Sequence, residues 1–149
     1  MGDRDLIGRC GIYCDACAVY RGQRDDGEAF DYAIRRWKVP SEHARCNGCQ
    51  ALTPECHGSQ CERAKCLNEK GYRYCFECDS YRNHSYRKYE RMASYFKPMG
   101  EDPRRNLKRI EDGEADAWLK EHRNRWSCTS CGSPIFLHPT KCPKCGKLI

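Results

Sequence analysis

Ten of this chain's fourteen cysteines fall in C-x2-C pairs, and that pairing constrains the fold more than any other feature of the sequence. The pairs are Cys14/Cys17, Cys46/Cys49, Cys75/Cys78, Cys128/Cys131 and Cys142/Cys145. Two intervening residues let both thiols sit on one tight turn and meet one ion. The apolar content shows why such an ion is needed. Leu, Ile, Val and Phe supply only nineteen of 149 residues, a level typical of disordered chains. Nine Tyr and three Trp argue against disorder without filling a large core. A structural zinc site contributes about 10–16 kcal/mol of apparent binding free energy, realised only in the folded chain.

Disulfides are the rival use of so many cysteines, and the redox compartment decides between the two. The stretch "MGDRDLIGRC" has no apolar run of signal-peptide length. No segment of about 18 apolar residues is present to span a membrane. The expectation is a cytoplasmic chain whose thiols stay reduced and serve as metal ligands. The formal charge of +6 then changes meaning, because metal-bound cysteines are thiolates. Residues 1–78 balance acids against bases, so the excess of base lies in residues 79–149. With about three four-thiolate zinc sites, two early and one late, the molecule is polar rather than uniformly basic.

The strongest motif is C-terminal. Cys128, Cys131, Cys142 and Cys145 form C-x2-C, ten residues, C-x2-C, with Gly132 and Gly146 after the second cysteine of each pair. Four soft thiolates suit tetrahedral zinc. Mononuclear iron in rubredoxin-like modules uses the same knuckles. The intervening "PIFLHPT" reads as a strand and turn, giving a β zinc ribbon.

Ten cysteines remain, and two four-ligand sites would use eight. The preferred ligands are Cys10, Cys14, Cys17, Cys46, Cys49, Cys66, Cys75 and Cys78; Cys56 and Cys61, beside "HGSQ", are the weakest. Sequence does not assign them to sites. His43, His57 and His84 lie beside the clusters and could substitute as ligands, though each reads better as a surface histidine. Cys10, Cys14 and Cys17 have the C-x3-C-x2-C spacing with which radical enzymes hold a four-iron cluster. The segment from Cys17 to Cys78 lacks the strand–helix alternation of such a barrel. Zinc is therefore the first expectation here and an iron–sulfur cluster the alternative.

The rest of the chain reads as helix. Asp15 is placed to cap a short helix that ends near Gly22. Phe30, Ala33, Ile34 and Trp37 fall at i, i+3, i+4, i+7 on a helix stopped by Pro40. A short helix ends at Gly71, and a longer one runs from about Arg82 to Lys97. Asp102, Pro103 and Gly113 frame another. The last, Glu114 to Trp126, carries Ala115, Trp118, Leu119 and His122 on one side. The expected architecture is mainly α: an irregular metal-stabilised domain over residues 1–80, a helical connector over 81–126 and the β zinc ribbon over 127–149.

The segments "CGIYCDACAVYRG", "CNGC", "CERAKCLNEKGYRYCFEC" and "NLKRIEDGEADAWLKEHRNRWSCTSCG" resemble a prokaryotic cysteine-rich family known as domain of unknown function 3795. Its members often carry the same short C-terminal unit. The resemblance implies a small cytosolic metal-binding protein and no particular activity. Related sequences often continue the third pair into a Pro-Cys ending, whereas this chain has "CFECDSYRNH", with His84 nearby.

No phosphate-cradling glycine loop, H-E-x-x-H or nucleophile elbow is present. Cysteine-only sites leave no open position for water, which favours structure over hydrolysis. The helices from Arg82 to Trp126 combine bases such as Arg87, Arg104 and Arg109 with Tyr86, Tyr89, Tyr95, Trp118 and Trp126. That mixture is compatible with nucleic acid, although an inward-packed aromatic face with charge outward explains it as well. The reading is a zinc-binding protein acting as a binding or regulatory adaptor without catalysis. Its alternatives are an iron–sulfur redox protein and a zinc-dependent nucleic-acid-binding protein. A protein partner is expected ahead of a nucleic acid, and a membrane is not.

Overall fold

Gly22, expected to end the first helix, lies inside it. The computed structural model describes residues 3–25 and 27–149; Asp26 of the segment "GQRDDG", read as breaking that helix, lies outside the described residues, as do Met1 and Gly2. Helix α1 spans Ala18–Asp25 and α2 spans Glu28–Arg35. A Cβ at Gly22 would stand 2.8 Å from the Phe30 Cα. The residue read as a breaker is the point where two helices cross in near-backbone contact. Asp15 does not cap α1; its carboxylate pairs with the buried Arg21 at 3.5 Å and accepts from the Tyr13 hydroxyl at 3.4 Å.

Helix α3 spans Glu62–Lys70 and ends at Gly71. The long helix expected from Arg82 to Lys97 is divided into α4 (Asp79–Arg82) and α5 (Arg87–Phe96). Between them Asn83 Oδ1 accepts from the Ser85 amide at 3.0 Å, and His84 adopts φ 61°. A short polar side chain here offers the backbone a partner that competes with the helix. Helix α6 (Pro103–Glu111) opens as expected, with the Asp102 carboxylate accepting from the Arg105 amide at 3.1 Å. Helix α7 spans Ala115–Arg125.

Among the described residues no strand forms. The β pairings are three isolated bridges, Ile7–Tyr13, Ser127–Pro134 and Lys141–Leu148. The expected C-terminal β ribbon is therefore corrected to a loop. Pro134 and Pro139 remove two ladder donors from "PIFLHPT". Ile135 serves the Ser127–Pro134 bridge by donating to Trp126 O, while Leu137 donates to Ala16 O at 3.0 Å and Thr140 to the Glu28 carboxylate at 2.8 Å.

Those bonds seat the loop on the N-terminal part. Phe136 packs with Val19, Ala29, Ala33 and Val39, and His138 stacks on Tyr32 at 4.6 Å. The larger core gathers Ile7, Tyr89, Leu107 and Trp118, each at most 1% exposed. Tyr89 and Trp118 thus face inward, while many bases nearby meet the chain's own acids. Arg104 pairs with Glu90, Arg109 with Glu114 and Glu121, and Arg82 with Glu111.

One buried carboxylate organises the junction of α6 and α7. Glu101 Oε2 accepts from Asn106 Nδ2 at 3.1 Å and lies 3.2 Å from His122 Nε2; its Oε1 accepts from Trp126 Nε1 at 3.0 Å. Asn106 also donates to the Gly11 carbonyl at 2.9 Å, and the Tyr89 hydroxyl donates to the Cys10 carbonyl at 2.9 Å. The first cysteine is therefore held from two helices.

Candidate metal centres

The C-terminal knuckles are built by their own backbone. Gly132 and Gly146 adopt φ 76° and 75°, in the region where glycine is unpenalised. Their amides donate to the Cys128 and Cys142 carbonyls at 2.9 and 3.0 Å. The turns close further through Cys128 N to Ser133 O and Cys142 N to Lys147 O, both 2.8 Å. Lys147 Nζ donates to Thr129 Oγ1 at 2.7 Å, tying one knuckle to the other.

This brings the four sulfurs of Cys128, Cys131, Cys142 and Cys145 within 4.8 Å of one another. Cys128 and Cys145 Sγ lie 3.7 Å apart, and Cys131 and Cys142 Sγ 3.5 Å apart. Four thiolates bound at about 2.3 Å to a tetrahedral ion would stand about 3.8 Å apart. The geometry fits a mononuclear centre. Cys128 and Cys142 are buried, Cys131 and Cys145 exposed. The thiols divide electrostatically. Donors from Ser133 draw Cys131 down to about 6. For Cys145 the Lys147 amide favours the thiolate, yet partial desolvation beside the Cys128, Cys131 and Cys142 thiols prevails and pushes it up to about 11. Four sulfurs this close do not all ionise without a cation among them, which is the chemistry of a divalent metal site.

All fourteen thiols are free, and the N-terminal ten are arranged differently. Cys46 neighbours Cys17, Cys49 and Cys56, while Cys49 neighbours Cys14 and Cys61. A second group surrounds Arg63. Cys75 neighbours Cys10, Cys61 and Cys66, and Cys10, Cys61 and Cys75 all act on the Arg63 guanidinium. Burial, then the Cys49 thiol for one and the Cys17 thiol for the other, pushes Cys10 and Cys46 up to about 12. Cys78 stands at the edge, accepting from Lys70 Nζ at 3.1 Å. Among the described residues, the one set of three or more ligand atoms mutually within 4.8 Å is the C-terminal four.

Sequence reasoning ranked Cys61 with Cys56 as the weakest candidates. Cys61 lines the same cavity as Cys10, Cys14, Cys17, Cys46 and Cys49; Cys56 is buried against the Thr53 hydroxyl at 3.4 Å. His84, considered beside the third pair, instead meets Glu90 at 3.5 Å. His43 contacts the Glu55 carbonyl, and His57 lies on the cavity wall. Arg63 was not singled out. A C-x4-C spacing around it, from Cys61 just before a helix to Cys66 within it, was the available signal.

The profile of a family described as protein of unknown function (DUF3795) matches residues 6–88. That span covers more than half of the chain and contains all ten N-terminal cysteines. No curated protein and no solved structure matches.

Proposed function

The chain belongs to the DUF3795 family, and from that premise we propose that it is a zinc-binding protein with a binding or regulatory role and no catalysis. One observation carries the zinc assignment: the four C-terminal sulfurs converge within 4.8 Å at separations close to a tetrahedral zinc–thiolate centre. Thiolate donors on a closed site favour zinc over harder divalent ions. Four protein ligands leave no position for an activated water, which supports a structural centre rather than a hydrolytic one.

The position of this centre suggests what it does. The loop between its two cysteine pairs places Phe136 and Leu137 against the N-terminal part. An ion that fixes both knuckles fixes the ends of that loop, and so supports the surface that a protein partner would meet. A reducing, cytoplasmic setting belongs to this reading, because the ligands must stay thiolates. No helix of the described residues is long and apolar enough to cross a membrane.

The experiment is elemental analysis of anaerobically purified chain beside the Cys128→Ser/Cys142→Ser variant. One zinc per chain should disappear in the variant. An unchanged zinc content would refute the assignment.

A further inference from the structure

Beneath α5 lies a cavity of about 520 Å3 whose wall carries six thiols: Cys10, Cys14, Cys17, Cys46, Cys49 and Cys61. The C-terminal centre accounts for none of them. We propose that this cavity holds an iron–sulfur cluster, with Cys14, Cys17, Cys46 and Cys49 as its ligands.

Sulfur spacing is the first argument. A single ion needs its thiolates about 3.8 Å apart, as at the C-terminal centre. Among the described residues the C-terminal four are gathered for one ion, and the cavity thiols are not gathered in that way. The thiols instead surround a space. A cluster fills such a space, because iron and sulfide atoms stand between the thiolates and hold them farther apart.

The choice of ligands follows from adjacency. The Cys49 amide donates to Cys14 Sγ at 3.5 Å and so joins the Cys14/Cys17 turn to the Cys46/Cys49 turn. These four are two C-x2-C pairs that line one cavity. The Gly48 amide donates to Cys46 Sγ at 3.3 Å, the kind of N–H to sulfur bond that tunes cluster potentials.

Charge supplies an independent observation. Four thiolates on an iron–sulfide core carry net negative charge, which burial disfavours unless cations face it. Arg63 and Arg91 line the same cavity, where Lys88 is already paired with Glu62 at 2.9 Å. The Arg63 Nε is buried without a hydrogen-bond partner. A buried guanidinium nitrogen left unpaired is costly; Cys10, Cys61 and Cys75 act on it directly, and a cluster in the cavity it lines adds a longer-range counter-charge.

The test compares the full chain, Cys14→Ser/Cys49→Ser and Cys128→Ser/Cys131→Ser. All are expressed and purified anaerobically, and again after incubation with ferric and ferrous iron, sulfide and a thiol. Iron, acid-labile sulfide, zinc and the visible spectrum are measured. The full chain should show a band near about 400 nm, with iron and sulfide in equal amounts. Cys14→Ser/Cys49→Ser should lose band, iron and sulfide together. Cys128→Ser/Cys131→Ser should keep all three and lose only zinc. Native mass spectrometry of the full chain, which needs no variant to fold, should show the added mass of iron plus sulfide. A colourless full chain that carries zinc alone before and after reconstitution overturns the proposal. Retention of the full band in a folded Cys14→Ser/Cys49→Ser overturns the ligand assignment. Neither result touches the C-terminal zinc reading, which is decided by zinc loss in the other variant.

Discussion

Gly11 shows how little freedom a single residue has beside the first cysteine. Its φ is 95°, and a Cβ there would stand 2.3 Å from the Pro103 carbonyl and 2.9 Å from Leu107 Cγ. Gly11→Ala should destabilise the chain by about 1–3 kcal/mol, measured as a lowered denaturation midpoint with unchanged denaturant slope. Glu101 is the second such residue. Burial raises its carboxyl pKa, but His122, then Asn106 and Trp126, outweigh that and hold it below the usual carboxylate range. A depressed carboxylate adds stability that is complete above its unfolded pKa of about 4.3 and is lost as pH falls through the folded value. Glu101→Gln should therefore cost on the order of 2 kcal/mol at pH 7. The gap between variant and wild type should close below about pH 4, and melting curves across pH would show it. Neither role was legible in the sequence. Glu101 and His122 stand twenty-one positions apart, and no local pattern announces a contact over that distance.

At the scale of elements, local chemistry was legible wherever the backbone answers to its neighbours alone. Asp102 and Pro103 open α6, and Gly71 closes α3, because capping is decided within a few residues. The readings that failed were those in which tertiary contact competes. Gly22 was read as a stop, yet α2 crosses over it. "PIFLHPT" was read as a strand, yet its amides found Ala16 and Glu28 instead of a sister strand. The break between α4 and α5 offers a direct check. His84 holds φ 61°, a conformation that costs a side chain energy and costs glycine little. His84→Gly should stabilise the chain by up to about 1 kcal/mol, seen as a raised melting temperature. A loss of stability would mean that the contact with Glu90 outweighs the backbone strain.

For the whole molecule, metal and packing are expected to act together. The loop joining the C-terminal knuckles carries Leu137, which belongs to the larger core, and Phe136, which belongs to the smaller one. Stripping metal with a strong chelator under reducing conditions should lower the melting temperature and reduce helical circular dichroism, since the aliphatic core is too small to hold alone. An unchanged melt would show that packing suffices. The sequence by itself determined that the chain is mainly helical, that its cysteines stay close in pairs, and that the last four can meet one ion. Each of these is a property of spacing, which a covalent chain carries with it. Tertiary structure alone decided which early cysteines share a cavity, that Arg63 stands among them, and that the C-terminal loop lies on the N-terminal helices rather than pairing with itself. Those are relations between segments far apart in the chain, where the free energy of packing, not local propensity, chooses the partner.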